Sequence, residues 1–191
     1  MATQPNLLAV DWPKLPAPQD DGGARHLPGL KVPSLELAAT DGGSVDLAAL
    51  RGRTVLYVYP MTGQPGVALP DGWDEIPGAR GCTPQACAFR DHYAELRAAG
   101  ADQVFGLSAQ DRAEQCEAAG RLHLPFALLS DGELQFARAL GAPVMDVAGR
   151  TLLKRMALII DDACIRHVFY PVFPPDRNAS DVLAWLKAHP T

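Results

Sequence analysis

Four short apolar runs punctuate the chain, and the stretches between them carry apolar residues at three-to-four spacing. The first run, Thr54-Val55-Leu56-Tyr57-Val58-Tyr59, is β-branched and aromatic without polar alternation, as a strand covered on both faces should be. Pro60 ends it. Val104 to Leu107, Phe126 to Leu129 and Arg155 to Ile160 read as further buried strands. Thr83-Pro84 opens a predicted helix that runs to Ala98, with Phe89, His92, Tyr93 and Leu96 on one face and Gly100 as its stop. Helices are also expected from about Asp111 to Arg121, from Glu133 to Leu140 before Gly141, and beyond Ser180, which is read as an N-cap.

Two polar-alternating segments flank this pattern. Leu35-Glu36-Leu37 and Ser44-Val45-Asp46-Leu47, joined by Asp41-Gly42-Gly43, predict a hairpin or a strand and turn. Asp46 would then cap a short helical turn ending at Gly52. Cys164 to Tyr170, after the Asp161-Asp162 turn, predicts the second arm of an antiparallel hairpin. Strands alternating with helices and closed by a hairpin and a last helix indicate an α/β architecture, a central mixed sheet with helices on both faces. The size suits one domain over residues 27–191 behind a Pro-rich extension over 1–26, where Pro5, Pro13, Pro16 and Pro18 favour an extended arm. Leu7, Leu8, Val10 and Trp12 give that arm apolar groups to lay on the body or on another subunit. Between Met61 and Gly81 lies a loop broken by Gly63, Pro65, Gly66, Pro70, Gly72, Pro77 and Gly78. Its Trp73, Asp74 and Glu75 are expected on a solvated face.

Charge removes some functions. A formal net charge of −5 offers no attraction to a phosphate backbone, so nucleic acid is not an expected partner. The longest apolar run, around Met156 to Ile160, falls far short of the roughly 20 residues a spanning helix needs. With no basic, apolar leader at Met1 to Val10, a cytoplasmic location is expected. Four cysteines are too few for a disulfide scaffold. None stands at metal-ligand spacing with another Cys or His, so a structural zinc site is not anticipated.

The remaining use for a cysteine pair is chemistry. A thiol reacts as its thiolate, which the unpaired N–H groups of a helix start and a nearby cation stabilise. Cys82 immediately precedes Thr83-Pro84, with Arg80 two residues away. Cys87 lies five residues on, about 7.5 Å of helical rise and 500° of rotation, so the two side chains face apart. A disulfide tolerates Cα atoms only up to about 7 Å apart, so joining them requires the helix start to unwind.

The segment Gly81-Cys82-Thr83-Pro84-Gln85-Ala86-Cys87-Ala88-Phe89-Arg90-Asp91 resembles the active-site segment of peroxiredoxins of the Q type, also called bacterioferritin comigratory proteins. Similarity runs from about Leu27 to Lys187 and takes in Tyr57-Val58-Tyr59-Pro60, Gly106-Leu107-Ser108, Leu129-Ser130-Asp131 and Lys154-Arg155-Met156-Ala157. The resemblance implies a thioredoxin-like fold and a thiol peroxidase acting on hydrogen peroxide or alkyl hydroperoxides, with no metal or organic cofactor. Cys82 corresponds to the peroxidatic cysteine, Cys87 to the resolving cysteine and Arg155 to the active-site arginine. Thioredoxin or a similar dithiol would reduce the Cys82–Cys87 disulfide, and the protein would act as a monomer.

One departure stands out. The family places a proline seven residues and a threonine three residues before the reactive cysteine, where this chain has Glu75 and Ala79. Either Pro60 and Thr62 fold back against Cys82 across an insertion, or Thr83 and backbone N–H groups supply the missing donor. The first is the preferred expectation. A thiol-disulfide oxidoreductase of the same fold is the runner-up enzyme, against which stands the lack of a CxxC pair. A non-catalytic redox sensor is the alternative of another class.

Overall fold

The computed structural model describes residues 10–191; Leu7 and Leu8, expected to pack on the body, lie outside them. The buried run becomes β3 (Arg53–Val58), an interior strand of the sheet. Around it lie β1 (Glu36–Ala39), β2 (Ser44–Asp46), β4 (Gln103–Ser108), β5 (Leu128–Ser130), β8 (Met156–Asp161) and β9 (Cys164–Phe169), in the spatial order β2-β1-β5-β4-β3-β8-β9. Parallel pairing joins β3 to β4 and β4 to β5; the other pairings are antiparallel. The sheet is therefore mixed.

Alternate residues of β3 build two cores. Val55, Tyr57 and the following Tyr59 face α1 (Cys82–Asp91), α2 (Tyr93–Ala98), α3 (Arg112–Arg121) and α5 (Asn178–Ala188), packing with Phe89, Leu96, Ala118 and Val182. Leu56 and Val58 face α4 (Gln135–Leu140) and the chain around Ala24 and Leu27. Each large apolar side chain buried here contributes roughly 1.5–3 kcal/mol. The Tyr57 ring lies flat on Phe89, centroids 4.4 Å apart. Gly106 makes room for it, since a Cβ at that position would come within 2.6 Å of the Tyr57 ring. An α/β, thioredoxin-like fold results, and no helix among the described residues is long and apolar enough to cross a membrane.

Several boundaries differ from the sequence expectation. The predicted helix through Ala98 is two helices meeting at His92, although the Leu96 N–H still bonds to the His92 carbonyl at 2.9 Å. Strand β5 begins two residues later than read, because Phe126 leaves the sheet to pack edge-on against Tyr57. Ser180 does not cap α5: it lies inside the helix, and its hydroxyl donates back to the Arg177 carbonyl at 2.8 Å.

A hairpin unforeseen in the sequence, β6 (Val144–Val147) and β7 (Arg150–Leu153), turns at Ala148 and Gly149, both at positive φ. It is the platform for the insertion. Trp73 and Ala79 are buried against Val147 and Leu152, with Met61, Leu69 and Ile76 around them, so Trp73 is not on a solvated face as expected. Asp74 and Glu75 are exposed beside it, Asp74 ion-paired with Arg80 at 3.2 Å. The arm from Asp11 onward crosses the same region. It is tied down by Trp12 Nε1 donating to Asp176 (2.8 Å) and by Asp21 accepting from Lys154 Nζ (2.6 Å) and the Tyr170 hydroxyl (2.8 Å).

Candidate active site

Helix α1 starts at Cys82 itself, one residue earlier than read, because Gly81 takes the left-handed N-cap conformation with φ 108°. The first intrahelical bond runs from Gln85 N–H to the Gly81 carbonyl, 3.0 Å, which leaves the N–H groups of Cys82 and Thr83 unpaired within the helix. Pro84 has no N–H to satisfy. Cys82 is 4% exposed, at the positive end of a ten-residue helix.

The nearest cation is Arg155, just before β8. Its Nη2 donates to the Cys82 sulfur at 3.2 Å and also lies against the carbonyls of Gly78 (3.3 Å), Ala79 (3.0 Å) and Arg80 (3.2 Å). Its Nη1 donates to Gln85 Oε1 at 2.5 Å. Gln85, fully buried, is held in turn by Nε2 donating to Asn178 Oδ1 at 2.9 Å. A planar fork with several fixed acceptors has little freedom, so the guanidinium is preorganised toward the sulfur. Lys154, its neighbour, points elsewhere, to Asp21. Arg80 pairs with Asp74 at 3.2 Å and also lines the small cavity at Cys82.

Gln85 and Asn178 were not singled out from the sequence. Gln85 could have been, since it lies three residues after Cys82 and so on the same helical face. Asn178 comes from α5, and only the tertiary fold brings it near.

Cys87 is 9% exposed in the same helix, and both thiols are free. Burial pushes the Cys87 thiol above its ordinary value, a tendency partly opposed by Arg90. The helix between the two cysteines is intact, so they face apart. Arg90 Nη1 fastens this part of α1 to α3 through the Leu122 carbonyl at 2.9 Å. Beneath lie the buried hydroxyls of Tyr57 and Tyr59, Tyr59 beside Ser108 and Gln115, and burial pushes both phenols well above their ordinary value.

Thr62 and Pro60 are both buried, but the structure does not bring the Thr62 hydroxyl to the thiol as expected. Its Oγ1 donates to Gln110 Oε1 at 3.0 Å, and its N–H donates to the same oxygen at 2.8 Å. Gln110 Nε2 returns a bond to the Thr62 carbonyl, 3.2 Å. A hydroxyl has one proton, and here Gln110 takes it. Pro60 likewise makes no wall of the small cavity at Cys82. Thr83 does: it is 4% exposed, lines that cavity and makes no side-chain hydrogen bond to the described protein.

The Redoxin family model matches residues 27–185. A chloroplastic peroxiredoxin Q of Sedum lineare is 31% identical over 178 residues, covering 92% of this chain and 86% of the plant protein. That of Oryza sativa subsp. japonica is 34% identical over 162 residues, 84% of this chain. The chain spans just under two thirds of that rice protein, 66%. Among solved structures, peroxidoxin BcpB from Mycobacterium tuberculosis superposes with a TM-score of 0.68 at 27% identity, covering 86% of this chain and 98% of that one. Xanthomonas campestris peroxiredoxin Q gives 0.65 at 25% identity, over 84% and 96%. A buried cysteine at a helix start, the thioredoxin-like sheet and these matches agree: the chain belongs to the Q-type peroxiredoxins.

Proposed function

We propose that the chain is a thiol-dependent peroxidase whose reacting group is Cys82. The observation that carries this reading is the Arg155 guanidinium, fixed by Gln85 and three carbonyls, with Nη2 3.2 Å from the Cys82 sulfur at the start of α1. That arrangement favours negative charge both on the sulfur and on an oxygen leaving from it.

In the first step the thiolate attacks one oxygen of the hydroperoxide. The S–O bond forms as the O–O bond breaks, sulfur loses two electrons, and the departing oxygen takes a proton to leave as water or an alcohol. Cys82 is then a sulfenic acid. The first turns of α1 unwind, Cys87 attacks the oxidised sulfur, and an S–S bond replaces S–O as water leaves. A dithiol donor such as thioredoxin restores both thiols by exchange. With the Thr62 hydroxyl given to Gln110, the free hydroxyl of Thr83 and the N–H groups of Cys82 and Thr83 are the donors left for the peroxide oxygens. Residues 27–191 carry this chemistry behind the extension 1–26, of which the described part from Asp11 onward is tied to the domain through Trp12 and Asp21.

The test is to mix reduced protein with hydrogen peroxide and follow thiol loss, with Cys82→Ser and Cys87→Ser alongside. Fast oxidation should require Cys82, and without Cys87 the sulfenic form should accumulate or overoxidise. Oxidation no faster than that of free cysteine would defeat the proposal. Faster reduction of insulin disulfides than of peroxide would favour the oxidoreductase.

A further inference from the structure

The end of the insertion before Cys82 supplies the Gly78, Ala79 and Arg80 carbonyls that hold Arg155, and the rest of it is built as a small core of its own. Trp73, 4% exposed, is its centre, wedged against the β6–β7 hairpin. From there the insertion roofs the thiol. Met61, Leu69 and Trp73 line one small cavity together with Arg80, Cys82, Thr83 and Pro84. The cavity measures about 10 Å³. That is at the lower limit for holding one water molecule.

A much larger cavity, about 280 Å³, lies nearby with Ile76, Pro77, Gly78 and Arg155 in its wall, but Cys82 is not part of its lining. A bulky hydroperoxide would thus find space on the far side of the 76–78 segment and almost none at the sulfur. Moving the roof aside is costly, because it would expose Trp73 and break its packing on Val147 and Leu152.

We infer that Met61, Leu69 and Trp73 form a steric gate that selects hydrogen peroxide, the smallest hydroperoxide, over those with tertiary or aryl substituents. The inference rests on the peroxidase reading. Hydrogen peroxide carries nothing beyond the two oxygens that react, one bonding to the Cys82 sulfur and the other leaving as water. A tert-butyl or cumyl group attached to the leaving oxygen would have to occupy the volume held by Leu69 and Trp73.

The experiment measures second-order rate constants for oxidation of the reduced full-length protein by hydrogen peroxide and by cumene hydroperoxide. Wild type should favour hydrogen peroxide by about a hundredfold or more. Trp73→Ala and Leu69→Ala should each shift the ratio toward cumene hydroperoxide by about tenfold, as the roof retreats. Leu69 is only half-buried, so Leu69→Ala decides the matter if Trp73→Ala does not fold. Equal constants for wild type, or a ratio unchanged in the folded variants, would overturn the gate while leaving the peroxidase intact. If neither peroxide oxidises Cys82 faster than free cysteine, the peroxidase reading falls and the gate with it.

Discussion

Gly81 sets where α1 begins, and replacing it with alanine tests whether the N-terminal arm holds the reactive sulfur in place. Two costs follow from the geometry. The residue has φ +108°, and a side chain in left-handed backbone costs roughly 1–2 kcal/mol. The added Cβ would also lie 2.7 Å from Pro175 Cγ, 2.7 Å from Trp12 Cη2 and 3.0 Å from Trp12 Cζ3. The indole cannot simply swing away, since Nε1 donates to Asp176 at 2.8 Å and its ring meets Phe173 edge-on at 6.1 Å. Overpacking of this kind costs roughly 1–3 kcal/mol, for a total of about 2–5 kcal/mol. Gly78→Ala is the control. It has φ +80°, but its Cβ would meet only Pro18, at an ordinary 3.4 Å, so it should lose the conformational part alone. Urea denaturation of both variants should show Gly81→Ala the less stable by about 1–3 kcal/mol. Displacement of Cys82 from Arg155 by about 1 Å should also slow peroxide oxidation on the order of a hundredfold. Equal stabilities would refute the idea that Trp12 and Pro175 clamp the helix start, and an unchanged rate would refute its importance for the sulfur.

Arg155→Lys keeps the charge but loses the fork that reaches both Gln85 and the sulfur; the rate constant for peroxide should fall by about 10²–10³, measured by competition against a peroxidase of known rate. Thr62→Val should leave that rate within about threefold and cost about 1 kcal/mol in chemical denaturation, because its hydroxyl serves Gln110; a tenfold slower enzyme would return Thr62 to the site. His167 adds a pH dependence: burial, and after it the neighbouring His189, hold its imidazole below the ordinary 6.5. Between the folded value and 6.5 the unfolded chain binds more protons, so this stabilisation is complete above 6.5 and is lost as pH falls below it. Melting temperature should therefore drop from pH 7.5 to 5.5 less steeply in His167→Phe than in wild type.

The sheet was legible because each of its strands is specified locally. Val55 to Tyr59 has no polar position to place in water, and the hairpin at Asp41-Gly42-Gly43 carries its turn chemistry in the chain. Cys82 was legible for a related reason: a helix start after a Gly and Pro loop is a local signal with electrostatic content. What escaped depended on distant partners. The β6–β7 hairpin turns at Ala148-Gly149, which lacks the usual Asn or Asp, and its apolar residues acquire a purpose only when Trp73 covers them. For the same reason the insertion read as a solvated loop: nothing in Trp73-Asp74-Glu75 reveals a hairpin 70 residues later. Thr62 was misplaced because its competitor for the hydroxyl, Gln110, lies at the end of a different strand.

Those distant contacts also divide the labour around Cys82. Arg155 and Gln85 hold the sulfur's surroundings still, whereas the proposed Cys82–Cys87 disulfide would require the helix that carries Cys82 to come apart. Both can be satisfied because the two ends of α1 are anchored differently. The arginine contacts belong to the loop and the first turn, while Cys87 sits under the Arg90–Leu122 tie and beside the Phe89 ring stacked on Tyr57. Burial keeps Cys87 in its neutral thiol form there. In the proposed disulfide step, unwinding would expose it, return its acidity toward the ordinary range and so make it a nucleophile only when its partner can be reached. On the proposed route the closed helix would protect the Cys87 thiol from premature reaction and the opened helix would activate it, so the same burial that stabilises α1 would also order the two chemical steps.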